Sequence, residues 1–208
     1  MASPNYDNAA WFYDRLSRMI YGKALIDAQV YFLRRIPANS KVLIVGGGTG
    51  VILEELTRFF PSGLKITYVE ISAKMMAKSK ARFIGNNQVN YINKAVQDAE
   101  LSDTFDVIIT AFLFDNFKGE TLQKVFKAID RCLKPDGLWL NTDFQLTGKW
   151  WQNALLKTML LFFKTLCNVE ASTLPDIDRL FKNYQPVEGK TFFGDFIGSK
   201  AHRKTKKV

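Results

Sequence analysis

Along the chain, short apolar runs rich in β-branched and aromatic residues alternate with longer stretches of helical periodicity, and turn residues mark the changes. "KVLIV" (41–45) follows Pro37, Ala38, Asn39 and Ser40, "KITYVE" (65–70) follows Pro61, Ser62 and Gly63, and "VNYINKA" (89–95) follows Gly85, Asn86 and Asn87. Two further runs, "FDVIITAF" (105–112) and "GLWLNTDF" (137–144), flank a helix expected over 120–133 and ended by the turn Lys134-Pro135-Asp136-Gly137. Strand, helix and strand repeated in this way require right-handed crossovers and a parallel sheet covered on both faces. The expected fold class is α/β, doubly wound.

The rhythm changes after Phe144. "WWQNALLKTMLLFFKTLC" (150–167) predicts a helix with a narrow polar stripe through Asn153, Lys157 and Lys164. "DIDRLFKNY" predicts a short helix, and "EGKTFFGDFIGSKAHR" one or two terminal strands. A length of 208 residues with 47% hydrophobic content suits one domain. The N-terminus lacks a basic start followed by an apolar run, and no apolar stretch approaches a membrane span, so a cytoplasmic protein is expected. Cys132 and Cys167 have neither the number nor the spacing of a disulfide framework or metal site, and are read as small core residues.

Net charge is +9, unevenly spread. The last nine residues, "KAHRKTKKV", carry five basic side chains and no acidic one, leaving 24 basic against 20 acidic residues elsewhere, or +4. The tail is read as a frayed, solvated terminus, with His202 a solvated side chain in it. RNA recognition would call for aromatics interleaved with basic residues on a sheet face, which the tail lacks, so a nucleic-acid partner is not expected.

"VLIVGGGTG" (42–50) ends the first strand in a glycine-rich loop, where an open parallel sheet binds its ligands. Glycine permits the tight strand-to-helix turn and lets a ligand approach the backbone. Glu70, 20 residues after Gly50, ends the second strand and places a carboxylate within reach of two ribose hydroxyls. A G-x-G-x-x-G dinucleotide fingerprint fails at Val51, and no G-x-x-x-x-G-K-[ST] loop is present, so the pocket is read as one for a nucleoside without a triphosphate.

Gly46-x-Gly48-x-Gly50, "EISAKMM", "QDAE", "FDVIITAFLF" and "LKPDGLW", in this order, resemble the class I S-adenosylmethionine-dependent methyltransferases over most of the chain. The resemblance implies a Rossmann-like, mostly parallel seven-stranded sheet, with S-adenosylmethionine held by Gly46, Gly47, Gly48, Gly50, Glu70, Ile71, Met75, Asp98, Ala99, Ala111 and Phe112. Glu70 would take the ribose hydroxyls, Met75 would lie near the adenine, Asp98 would accept from its amino group, and Ala99 would offer its backbone N–H. "YDNAAWFYDRLSRMIYG" is similar to the family's lid helices, so residues 1–36 are expected to form a lid and 145–185 a helical insertion within a single domain of residues 1–208. The implied reaction is methyl transfer to a small, partly apolar or lipid-like acceptor, with Trp11, Tyr13 and Phe112 among the chamber walls. No metal is implied.

Methyl transfer from a sulfonium needs alignment and exclusion of water more than it needs a base. Asp115 and Asn116, at the exit of the fourth strand, are the candidates for orienting an acceptor or taking its proton; helix capping is the competing reading. Helix 150–167 is read as a lid, as an interfacial helix making peripheral membrane contact through Lys157 and Lys164, or as a core helix. Ile44 stands where many members of the family carry an acidic residue, which motivates a non-catalytic cofactor-binding alternative. The loop also resembles that of spermidine synthase-like aminopropyltransferases, although "TAFLFDNF" lacks the aspartate- and serine-rich exit of that group.

Overall fold

The computed structural model describes residues 19–102, 104–167 and 173–205, with side chains of the long helix described as far as Leu161. Seven strands form one sheet in the order β3-β2-β1-β4-β5-β7-β6: β1 (Lys41–Val45), β2 (Ser62–Val69), β3 (Asn86–Ile92), β4 (Phe105–Ala111), β5 (Leu133–Phe144), β6 (Tyr184–Phe192) and β7 (Ile197–Lys204). The first five run parallel, and β7 lies antiparallel between β5 and β6. The helices are α1 (Ala24–Val30), α2 (Val51–Phe59), α3 (Ala73–Lys80), α4 (Gly119–Asp130), α5 (Trp150–Cys167) and α6 (Ile177–Leu180).

Strand β1 is apolar throughout because both its faces are covered. Leu43 and Val45 point to one layer, with Ile108, Trp139 and α4 residues Val125 and Ile129; Val42 and Ile44 point to the other, with Phe32, Val107 and α2 residues Leu53 and Leu56. In α4 the buried positions Leu122, Val125, Phe126 and Ile129 recur at helical spacing. A third cluster, with Tyr21, Leu25, Phe144, Leu156 and Phe196, closes the carboxyl end of β5 under α1 and α5. Because β1 has β2 on one side and β4 on the other, strand order reverses there, and the crevice at this reversal opens at the strands' carboxyl ends.

Three expectations are corrected. Helix α4 ends at Asp130, and β5 begins at Leu133, which pairs with Phe105; Lys134–Gly137 bulge from the strand and pairing resumes at Leu138. The basic C-terminal segment is no frayed tail: through Lys204 it forms β7, bonded to strands on both sides. Its cations reach past the sheet, where Lys200 pairs with Asp178 and Lys204 with Asp130, and Arg203 donates to the Asp136 carbonyl. His202 is 5% exposed rather than solvated, stacked on Phe181 with ring centroids 4.1 Å apart. Burial and the nearby Lys200 push its pKa down to about 4, so it is neutral, and its Nε2 has no hydrogen-bond partner among the described residues.

Candidate functional site

A cavity of about 450 Å³ opens at the carboxyl ends of β1, β2, β4 and β5. One half is built largely from backbone. Gly46 and Gly48 adopt φ of +69° and +62°, a region that costs other residues strain. A Cβ on Gly46 would come 2.9 Å from Leu113 Cδ1, whereas one on Gly48 would meet only Met75 Sδ, at 3.9 Å, and otherwise project into open space. The Glu70 carboxylate is 5% exposed, accepting from Gly48 N at 2.9 Å through one oxygen and from Ser72 N at 2.8 Å through the other. Glu70 thereby ties the loop to the start of α3. Ser72 caps that helix by accepting from Met75 N.

Among the residues expected at the cofactor, Gly46, Gly48, Glu70, Ile71, Met75, Asp98, Ala111 and Phe112 line the cavity. Gly47, Gly50 and Ala99 do not. A Cβ on Gly47 would lie 2.4 Å from the ring of buried Tyr68, whose hydroxyl donates to Gly48 O at 2.9 Å. Gly50, at φ +82°, precedes α2 and abuts Ser79 of α3, where a Cβ would come within 2.7 Å. Ala99 is buried in the core, and its N–H points to Val96 O at 3.3 Å. Ile71, 39% exposed, and Met75 line the cavity beside Glu70 and Asp98, a set of apolar walls and hydrogen-bond acceptors that fits a nucleoside carrying an uncharged base. Ile44 is buried in the core layer under α2.

The other half is built from side chains. Phe112 follows β4 with φ +51°, a strained conformation for a bulky residue, and packs on Phe144 at 4.7 Å between ring centroids. Asn116 holds this turn closed: its amide nitrogen donates to the carbonyls of Phe112 and Leu113 at 2.9 and 3.0 Å and lies 2.7 Å from Asp115 Oδ1. Neither Asp115 nor Asn116 caps α4, whose N-cap is Lys118. Tyr21, Leu25, Leu155, Thr158 and Met159 complete the wall from α1, the turn before it and α5. Helix α5 is thus both core and cover: Leu156 is buried against Phe144 and Phe196 while its neighbours face the cavity, and Trp150 stands 81% exposed. Trp11 and Tyr13 fall outside the described residues.

Asp115 is 8% exposed and Asp143, the penultimate residue of β5, 4%. Asp143 accepts from the backbone N–H groups of Phe114 at 3.2 Å and Phe144 at 3.0 Å. Burial pushes its pKa up to about 7 against the pull of those donors, and burial together with the Asp143 charge holds Asp115 well above the ordinary carboxylate range. Tyr21 is raised to about 12 by burial and by Asp115, and its hydroxyl donates to Met159 Sδ at 3.4 Å. Sequence reasoning did not single out Asp143 or Tyr21. The one available signal was an acidic residue closing an otherwise buried strand in "GLWLNTDF".

A family model described as a methyltransferase domain matches residues 42–137, the span from β1 to the bulge of β5. The chain is 32% identical over 113 residues to the malonyl-[acyl-carrier protein] O-methyltransferase of Bacillus anthracis, covering 53% of this chain and 40% of that protein. It is 26% identical over 181 residues to the ubiquinone/menaquinone biosynthesis C-methyltransferase UbiE of Cellvibrio japonicus, covering 82% and 72%. The polyamine aminopropyltransferase of Erwinia tasmaniensis is 32% identical over 120 residues, with coverages of 50% and 40%. Against the O-methyltransferase and the aminopropyltransferase the chain spans only two fifths of the relative's length. Among solved structures, an O-methyltransferase family protein from Burkholderia thailandensis superposes with a TM-score of 0.71 at 16% identity, covering 96% of this chain and 59% of that one. The 1,6-didemethyltoxoflavin-N1-methyltransferase of the same organism, solved with S-adenosylhomocysteine, gives 0.63 at 15% identity, covering 99% and 92%. The fold, the glycine loop with its strand-end carboxylate and the family model agree: residues 42–137 match a methyltransferase domain, and the chain has the Rossmann-like α/β fold of the S-adenosylmethionine-dependent methyltransferases it resembles.

Proposed function

We propose that the cavity binds S-adenosylmethionine in its backbone-built half and methylates a small, flat, largely apolar acceptor seated in its aromatic half. The observation that carries this reading is the meeting, in one cavity, of the Gly46–Gly48 loop, the Glu70 and Asp98 carboxylates and the Phe112–Phe144 wall. Glu70 would accept from the ribose hydroxyls, Ile71 and Met75 would sandwich the base, and Asp98 would take its amino group. The cofactor supplies a methyl group already activated on a sulfonium. The chain's own part is then to align the acceptor and keep water out, which α1 and α5 do as a cover over Phe112 and Phe144. Among the described residues no helix is long and apolar enough to cross a membrane, and the exposed Trp150 at the start of α5 suits an approach by lipid-like acceptors.

Aminopropyl transfer is the second reading, favoured by the identity to polyamine aminopropyltransferases over half the chain. A polyamine is a multiple cation, and the acceptor half is walled mainly by aromatic and apolar side chains, a poor match. Calorimetry with S-adenosylhomocysteine, followed by product analysis with methyl-labelled cofactor and a panel of flat acceptors, tests the proposal. Binding and labelled product are expected. Absence of binding, or transfer of an aminopropyl group from the decarboxylated cofactor alone, would overturn it.

A further inference from the structure

We infer that Tyr68 and Arg82 are positioning residues for the cofactor, which together set the glycine loop in its binding shape before a ligand arrives. This role rests on the reading above that S-adenosylmethionine binds at Gly46 and Gly48. Neither residue lines the cavity itself.

Glycine is the residue least able to hold a loop in one shape, because rotation about both of its backbone bonds is nearly free. Rotation at Gly48 is fixed only if the peptide planes on either side of it are fixed. The plane before it carries the Gly48 N–H, which donates to Glu70 Oε2 at 2.9 Å. The plane after it carries the Gly48 carbonyl, which accepts from the Tyr68 hydroxyl at 2.9 Å. A third plane follows, whose carbonyl, on Thr49, accepts from Arg82 Nε at 2.9 Å and whose N–H, on Gly50, donates to Gly47 O at 3.2 Å. Three consecutive planes are thus gripped, and Gly48 stands between the first two at φ +62°. Arg82, just past α3, is itself oriented by Glu54 of α2, 3.3 Å from its guanidinium group.

The hydroxyl of Tyr68 is separable from its ring. The ring is fully buried in the layer that holds Ile66 and Met76, tilted against Tyr91 at 5.7 Å between centroids, and it fills the space that a side chain on Gly47 would take. Phenylalanine would supply all of that packing. The oxygen faces a carbonyl, which can only accept, so the tyrosine is the donor and its proton holds the loop. A ligand that meets a loop already in shape is spared the cost of ordering it. Removing either grip should therefore weaken binding although no group in contact with the ligand has changed.

The test is Tyr68→Phe, with Arg82→Met as the second variant, both in the full chain. Calorimetry with S-adenosylhomocysteine should show affinity lower by about three- to tenfold in each, the worth of one hydrogen bond. The melting temperature of Tyr68→Phe should stay within about 5 °C of wild type, since the ring remains. Carbonyl 13C NMR of the ligand-free chain should show the Gly48 resonance moved upfield in Tyr68→Phe, the signature of a lost hydrogen bond that a change in core packing does not supply. In turnover the loss should fall on the KM for S-adenosylmethionine rather than on kcat, because the loop is gripped alike in ground and transition states. Unchanged affinity in a folded variant removes that residue from the role; unchanged affinity in both, or a Gly48 resonance that stays in place, overturns the inference. If Tyr68→Phe does not fold, Arg82→Met alone decides, and unchanged affinity there overturns it. A wild type that binds no S-adenosylhomocysteine removes the cofactor reading instead, a failure told apart by the Gly48 resonance, which still moves when only the ligand is wrong.

Discussion

The two halves of the cavity are made of different material. At the ends of β1 and β2 the wall is glycine backbone, pinned by a carboxylate that accepts from Gly48 and Ser72. At the ends of β4 and β5 it is aromatic side chains, closed by α1 and α5. Backbone geometry leaves little room for substitution, whereas a packed side-chain wall can be recut while its overall volume is kept. The first half therefore suits a ligand common to a family, and the second an acceptor particular to this chain. Substitutions in the two halves should separate: those in the first should abolish cofactor binding, and those in the second should change acceptor use and stability.

The sharpest contrast lies within the glycine loop. Gly48→Val should abolish S-adenosylhomocysteine binding and leave a folded protein, because its side chain would project toward the ligand and strain φ by about 1 to 2 kcal/mol. Gly47→Val, whose Cβ would run into the Tyr68 ring, should lower stability by at least about 1 to 3 kcal/mol. Circular dichroism melts and calorimetry separate the two, and equal effects would break the distinction between ligand-facing and structural glycines. Next, Glu70→Ala removes a charge-assisted contact of about 1.5 to 3 kcal/mol along with the tie between loop and helix, so affinity should fall at least about tenfold. Unchanged affinity in the calorimeter would remove Glu70 from the site.

In the aromatic half, Phe144→Leu trims a buried ring packed on Phe112, Tyr21 and Phe196. It should cost roughly 1 to 2 kcal/mol in a denaturant melt, with S-adenosylhomocysteine affinity within about twofold of wild type. A large loss of affinity would show that the halves are coupled. The smallest effect is expected far from the cavity, at His202. Its pKa in the folded protein is depressed to about 4, below the unfolded value, so the unfolded chain binds the proton more readily and stability is lost as pH falls from about 6.5 toward 4. His202→Leu should flatten that part of the melting temperature against pH curve and leave cofactor affinity alone.

The backbone-built half was the legible one. A fully buried central strand must be apolar along its whole length, a tight turn at its end must be glycine, and the next strand ends in its carboxylate; all three are local patterns in "VLIVGGGTG" and "KITYVE". The aromatic half is assembled from residues more than a hundred positions apart, such as Tyr21 with Phe144 and Met159, and no local period joins them. Asp143 was hidden because an acid at a strand end reads as the start of a loop, whereas here two backbone donors hold it inside. Strand β7 was legible as a terminal strand as far as Arg203, but its cations gave residues 200–208 a second reading as a solvated tail. Small residues, Gly198, Ser199 and Ala201, pack within the sheet while the long side chains of Lys200, Arg203 and Lys204 reach outward to partners on other elements, so the segment has the composition of a tail and the pairing of an inner strand.

The most direct measurement is a crystal structure of the full chain with S-adenosylhomocysteine. The predicted result has the ribose hydroxyls on Glu70, the base between Ile71 and Met75 with its amino group toward Asp98, and the sulfur facing the space bounded by Phe112, Asp115 and Phe144. S-adenosylhomocysteine bound away from the Gly46–Gly48 loop, or bound there with its sulfur turned from the aromatic wall, would contradict the account.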